Sequence, residues 1–292
     1  MRWLCYLALL LPFYSVAEGE CHDKECIPVG QWEIGASLGY GYKSNPLRNY
    51  NNRSSVLMPS IAYYGERFFF DNGNLGYTVY ESAQTSVNLV TSYGSEQGYF
   101  YDWDPGNIFL FSSNPDRAGE PLPITNEAQE FPELNGNKPP PHHFHKLKKR
   151  HFTLLGGVET FFYTQLGILN LALAHDLYGV HNGTEAKAKW ILRQQLQHMV
   201  LETSLFAEWK SQQIVDYYFS VRPSESDYWS RAYHASSGIN TGVELTCRYQ
   251  FAEAWQLISG VKYLRLASVI VDSPLVDTDH VVSYFVGAAY RF

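Results

Sequence analysis

No long hydrophobic run exists in this 292-residue chain. Outside residues 1–17, whose apolar stretch is itself too short, nothing approaches eighteen consecutive apolar residues, so the sequence offers no candidate transmembrane helix. A surplus of positive charge is missing too. The 22 Lys and Arg against 29 Asp and Glu leave a net charge of −7, which argues against a nucleic-acid partner because phosphate contacts need a basic surface. There is no Gly-x-Ser-x-Gly elbow. Ser236, Ser237 and His234 share one stretch, with Asp216 and Asp227 upstream, but a nucleophile needs a base within hydrogen-bond reach and a third group to orient it. Proximity along the chain supplies neither, so no catalytic residue and no enzyme is expected. Cysteine is scarce. Of four, Cys5 falls in the leader, and Cys247 sits on an apolar strand face as a small hydrophobe. Cys21 and Cys26 are spaced for a short-loop disulfide in an oxidising compartment; as a metal site, two thiols without nearby partners are poor. The histidines between His142 and His151 have no fixed strand spacing and no carboxylate cluster beside them. Neither metal nor cofactor is expected, and this basic stretch reads as a solvated loop flank near anionic lipid headgroups.

Residues 1–17 combine one early positive charge, an apolar stretch and small residues at Ser15 and Ala17, the pattern of a secretory signal peptide cut after Ala17. Residues 18–30 then form a short periplasmic segment before the first strand. Apolar residues make up 45% of the chain yet are dispersed, and aromatics reach 16%, which suits the interfacial girdles of a membrane protein.

The dispersal is regular. Trp32, Ile34, Ala36, Leu38, Tyr40 and Tyr42 alternate with Glu33, Gly35, Ser37, Gly39, Gly41 and Lys43. Residues 239–251 and 255–263 repeat the pattern, and in the last segment Val282, Tyr284, Val286, Ala288, Tyr290 and Phe292 oppose Val281, Ser283, Phe285, Gly287, Ala289 and Arg291. Side chains alternate across a strand with period two, and segments of ten to thirteen residues match a tilted strand crossing a bilayer. Arg or Lys at the membrane midplane costs roughly 2–4 kcal/mol, so Arg248 and Lys262 should point inward. A soluble sandwich would bury the aromatic face instead, but it does not require aromatics at strand ends with aliphatics between, as here.

The expected fold is therefore all-β: a closed antiparallel up-and-down transmembrane barrel over residues 31–292. Strands are expected near 31–43, 54–64, 65–71, 73–80, 84–93, 151–163, 166–178, 187–197, 200–221, 238–250, 254–266 and 280–292, about twelve, with ten as the fallback. Twelve requires a turn at Asn72-Gly73-Asn74. One long external loop, 94–150, interrupts the meander. The lumen-facing charges would be Glu33, Lys43, Glu159, Glu244, Arg248, Lys262 and Arg291, joined by Asn170, Lys187, Lys189, Arg193 and Gln195. Tyr290 and Phe292 would form the C-terminal aromatic signal read by the barrel-assembly machinery.

Several segments resemble the MipA/OmpV family of outer-membrane proteins, in which MipA denotes MltA-interacting protein. They are Glu66-Arg-Phe-Phe-Phe70 with Leu75-Gly-Tyr77, Asp216-Tyr-Tyr-Phe-Ser-Val221, Arg231-Ala-Tyr-His-Ala-Ser-Ser-Gly238, Tyr263-Leu-Arg-Leu266, Asp272-Ser-Pro-Leu-Val276 and Val286-Gly-Ala-Ala-Tyr-Arg-Phe292. Their order and spacing cover nearly everything from Gln31 to Phe292 except the long loop. Ser220 replaces a usual Gly, and Ser268-Val-Ile-Val271 replaces a more acidic approach to Asp272, departures that bear on loops rather than on the fold. The resemblance implies a non-catalytic protein of a Gram-negative outer membrane, in contact with its lipids. Its namesake role is a scaffold joining a lytic transglycosylase to a murein synthase in peptidoglycan turnover. A porin-like channel or a surface-exposed role is the alternative. Under the scaffold reading, the short turns near 164–166, 197–200 and 250–254, with residues 18–30, would face the partners.

Overall fold

The computed structural model describes residues 29–101, 147–252 and 254–291. Twelve strands form one closed barrel: β1 Gln31–Lys43, β2 Arg53–Tyr64, β3 Phe68–Asp71, β4 Asn74–Glu81, β5 Thr85–Tyr93, β6 Leu154–Thr164, β7 Gly167–Asp176, β8 Thr184–Leu196, β9 Met199–Lys210, β10 Gly238–Gln250, β11 Trp255–Arg265 and β12 His280–Arg291. Every neighbour pair is antiparallel, and β12 closes onto β1 from Gly35 opposite Arg291 to Lys43 opposite Ser283. Closure leaves no sheet edge at the seam, which is the condition for a sheet to sit in hydrocarbon, where an unpaired amide has no water to turn to. No described helix is long and apolar enough to cross a membrane.

Solvent inversion follows the alternation. Trp32, Leu38, Leu173, Leu205 and Ile239 are all more than half exposed or nearly so on the outer wall, while Lys189, Glu202, Glu244 and Arg248 are buried inside. Aromatic pairs band the outer face, as with Trp255 against Tyr290 at 5.0 Å and Tyr42 stacked on Tyr284 at 5.2 Å.

The turn expected at residues 72–74 is present. Asn72 and Gly73 both take positive φ, 54° and 89°, giving the two-residue turn whose twist matches the flanking strands. Asn72 is buried, its carbonyl oxygen Oδ1 accepting the Ile61 amide at 3.1 Å, and the Tyr93 hydroxyl donates to the Gly73 carbonyl at 2.8 Å. Because β3 is four residues long, it pairs only with Ala62–Tyr64 of β2. Pro59 pairs with Ala36 of β1 but lies on the stretch of β2 that β3 does not reach, on the side that the Ile61 amide shows to face β3. A residue without an N–H suits that edge.

One expected strand is a correction. The segment 200–221 is not continuous strand: β9 ends at Lys210 and α1, Gln212–Phe219, follows. Two further short helices, α2 Asp227–Ala232 and α3 Ser268–Val271, lie in the loops at the same end of the barrel. The opposite end carries the start of β1, the end of β12 and, among the described residues, only tight turns. Residues 1–17, Cys21, Cys26 and Phe292 lie outside the described residues, as does 102–146 of the expected long loop.

The inverted walls generate a paired expectation. Leu245→Arg, on the lipid face of β10, should destabilise the barrel by about 2–4 kcal/mol in vesicle-based denaturant unfolding, whereas Thr246→Arg on the lumen face should cost less than about 1 kcal/mol. Equal costs for the two would contradict the assigned faces.

Candidate functional site

The interior of the barrel is the site. Its chemistry starts in the register of β8, β9, β10 and β11. Cα pairing sets Glu185 opposite Lys210, Lys187 opposite Glu208, Arg193 opposite Glu202 and Glu244 opposite Lys262. Four pairs of opposite charge thus face one another directly across neighbouring strands on the lumen side, where cross-strand side chains lie closest. Contacts then spread sideways. Lys187 Nζ reaches Glu185 Oε1 at 2.7 Å, Lys189 Nζ reaches Glu244 Oε1 at 3.3 Å, and Glu202 Oε1 takes Arg193 at 3.7 Å and Arg248 at 3.4 Å. Lys210 bridges Glu185 and Glu96, the latter at 2.6 Å. Asn170 donates to Glu159 at 2.9 Å. Two lysines also lie over rings, Lys262 at 4.6 Å from the Phe206 centroid and Lys43 at 5.2 Å from Tyr99. Phe206 is laid against the wall because Gly242 opposite it has no side chain: a Cβ there would meet Phe206 Cζ at 2.3 Å.

These groups surround a chamber of about 680 Å³. Six basic and seven acidic residues line it, so it is nearly neutral despite its density of charge. Aromatics line the remaining arc, including Tyr64, Phe69, Phe161 and Tyr163.

The chamber is stoppered at the loop end. From α1, Ile214, Val215, Tyr218 and Phe219 are buried in a cluster with Leu47, Tyr99, Leu266, Ile270, Leu275 and Val276, drawn from four different loops and their adjoining strand ends. Burying each such apolar side chain is worth about 1.5–3 kcal/mol. That outweighs the half-exposed Arg48–Asp277 pair at 2.8 Å, of a class worth at most about 1 kcal/mol. At the other end lumen side chains are open to solvent, with Tyr163 44% exposed against 3% for Val281 beneath the stopper.

One buried ion pair fastens the stopper. Arg150, just before β6, forks onto Glu225, which follows α1: Nη1 to Oε1 at 3.0 Å and Nη2 to Oε2 at 3.3 Å. Arg150 also donates to the carbonyls of Lys148 and Ser220, each at 3.0 Å, and Glu225 accepts the amides of Lys148 at 2.7 Å and Arg222 at 2.8 Å. Neither side chain touches solvent. Burial raises the Glu225 carboxyl, but the Arg150 hydrogen bonds and then the two amides more than offset it and hold the group below the ordinary carboxylate range. A second tie lies in the loop between β7 and β8. Asp176 accepts the amides of Tyr178, His181 and Asn182, and the Gly183 amide donates to His181 Nδ1 at 2.9 Å. Burial keeps that imidazole below its usual value.

The expected lumen charges fall as follows. Lys43, Glu159, Glu244, Arg248 and Lys262 line the chamber, as do Asn170, Lys187, Lys189 and Arg193. Glu33 lines a separate recess of about 20 Å³ near the end that carries the termini. Arg291 pairs with Gly35 there, and Tyr290 faces outward against Trp255. Arg150 is a correction to the solvated basic flank, since it is buried, while Lys149 and His151 are exposed. Asp227 is engaged by Arg231 at 2.6 Å and Asp216 by Ser220 at 2.7 Å, so the structure does not bring either carboxylate to His234. Among the described residues no group of three His, Cys, Asp or Glu is placed to hold a metal ion. The sequence reading omitted Glu185, Glu202, Glu208 and Lys210 from the ladder, although all sit at lumen-phase positions of β8 and β9.

The sequence that builds this twelve-strand barrel matches a known family: that of the MltA-interacting protein MipA, over residues 34–292. The chain belongs to the MipA family. Its relatives include the MltA-interacting protein of Escherichia coli strain K12, 24% identical over 90% of this chain and 91% of the relative. The putative outer membrane protein YiaT of the same strain is 23% identical over 89% and 91%. Outer membrane protein OmpV of Vibrio cholerae is 24% identical over 90% and 87%. Among solved structures, the COG4313 outer membrane channel from Pseudomonas putida F1 aligns at a TM-score of 0.35 and 9% identity over 94% of this chain and all of that one, too slight a likeness to bear on function. Like its relatives, this MipA-family chain is an outer-membrane barrel.

Arg150→Ala leaves Glu225 buried without its countercharge, a change that costs about 3–5 kcal/mol. Amide exchange over 212–219 should accelerate by at least a hundredfold while the strands stay protected. Glu225 has a lowered value in the fold, so its contribution is complete above the ordinary carboxylate range and is lost as pH falls through the lowered value. Acid should loosen α1 selectively in the unaltered protein. Unchanged exchange in the variant would refute the latch.

Proposed function

We propose that this protein is a non-catalytic, non-conducting outer-membrane scaffold whose periplasmic rim gathers a lytic transglycosylase and a murein synthase. The observation that carries the reading is the match of the MltA-interacting protein family to the entire barrel. The stopper supports it, because an apolar cluster across the outer mouth suits a platform better than a passage. The rim also offers apolar surface. Leu166 and Phe251, at the tips of two tight turns, are 67% and 55% exposed. Export through a signal peptide at residues 1–17 and insertion by the barrel-assembly machinery belong to the same reading.

Crosslinking in intact cells, followed by identification of captured proteins, tests the partners. Recovery of a transglycosylase together with a murein synthase is expected, and recovery of neither removes the scaffold role. The channel alternative has its own measurement. In planar bilayers the protein should be silent, and replacing residues 211–237 with a short Gly-Ser linker should produce conductance, since twelve strands enclose more space than side chains alone fill. Steady conductance by the unaltered protein would establish a pore instead.

A further inference from the structure

The chamber itself is left without a task by a scaffold that works through its rim. Its walls differ in character. On β2, β3 and β6, two pairs of rings face inward in near-parallel stacks: Tyr64 with Phe69 at 6.0 Å and 18°, and Phe161 with Tyr163 at 6.4 Å and 17°. Phe69 lies across Gly76, its register partner, where a Cβ would be 1.9 Å from the ring tip, so the ring rests against the wall instead of projecting across the lumen. The facing arc carries the ion ladder. The two meet in one cross-strand row, since Phe161 pairs with Asn170 and Asn170 with Lys189.

Rings and ions select a ligand class. Flat aromatic faces accept ligand faces made of C–H groups. The ladder's alternating carboxylates and ammonium groups accept from and donate to hydroxyls. Because the lining is six basic against seven acidic residues, with most charges already paired, a strongly charged ligand would gain little net attraction and would have to displace an existing partner. A neutral molecule with apolar faces and a belt of hydroxyls meets both walls at once. Sugars have that shape. The volume of about 680 Å³ falls within the usual range for small-ligand sites, about 300–1,000 Å³. Access is from the periplasmic end, where Tyr163 is exposed, because the loop end is closed.

We infer that the lumen is a periplasm-facing binding chamber for a neutral oligosaccharide, stacked on Phe161 and Tyr163 and hydrogen-bonded by the ladder of β8 and β9. The inference stands whether or not the rim recruits a transglycosylase.

Isothermal titration of the full chain in detergent, with maltotetraose and with tetra-N-acetylchitotetraose as probes, tests it. Saturable binding of at least one probe is expected. The double variant Phe161→Leu with Tyr163→Leu should weaken that binding roughly tenfold, since both flat stacking faces of that pair are lost. Tyr77→Leu, on the outer face, should leave it unchanged. Ala172→Trp, which fills the chamber from β7, should abolish binding and serves if the double variant does not fold, with folding judged by circular dichroism and heat-dependent gel mobility. Absence of saturable binding to both probes overturns the inference. So does binding that survives Ala172→Trp, or a preference for tetragalacturonate over the neutral probes.

Discussion

Every backbone amide in the bilayer must find its partner within the protein, and the rest of the molecule is a consequence of meeting that demand with strands. Strands satisfy it only when the last pairs with the first, as β12 does with β1. Closure forces each strand to present one face to hydrocarbon and the other to an enclosed interior. Charged side chains then have one place to go. The cost of Arg or Lys in hydrocarbon drives them inward, and the cost of an unpaired charge inside drives them into register with an opposite one. The pairing of Glu185 with Lys210 and Arg193 with Glu202 is therefore part of how the wall is specified, since a one-residue slip would turn these groups toward lipid.

Twelve strands create a second problem. Eight enclose a space that side chains can fill, whereas this interior keeps a chamber of about 680 Å³ even with the ladder in place. The loops resolve the outer half. An apolar helix face cannot be satisfied in external water, so α1 turns Ile214, Val215, Tyr218 and Phe219 down into the barrel mouth and meets Leu47, Leu275 and Val276 from other loops. The hydrophobic effect supplies the energy and the Arg150–Glu225 fork supplies the position, because a bidentate pair fixes orientation as well as distance.

What could be read in the sequence divides along the same line. Alternation is local, so β1, β10, β11 and β12 fall within about a residue of the expected 31–43, 238–250, 254–266 and 280–292. The turn at Asn72-Gly73 is likewise local, because only a few residue types tolerate positive φ there. The stopper is masked by a change of period. Ile214, Val215, Tyr218 and Phe219 repeat at helical spacing after Ser211, so 212–219 is helical, but the preceding strand's alternation hid the change. Arg150 is a different case. Its partner lies 75 residues away, and nothing near it distinguishes a buried guanidinium from the exposed Lys149 beside it. The lumen face of Glu159, Glu244, Arg248 and Lys262 was legible because alternation gives a face; which charge meets which was not, because register is a property of two strands.

The two ends of the barrel therefore answer to different solvents and have different jobs open to them. At the loop end, an ion crossing the apolar cluster would have to desolvate against Phe219, Ile270 and Leu275. In the proposed orientation the interior becomes a periplasmic vestibule, where a molecule could be held but not passed. A rim of tight turns with exposed Leu166 and Phe251 surrounds that vestibule. A protein seated on the rim would roof the chamber, and anything bound inside would be presented to it. Under the proposed reading, a stopper that denies transport is what would make both a docking rim and a ligand-holding lumen useful in one molecule.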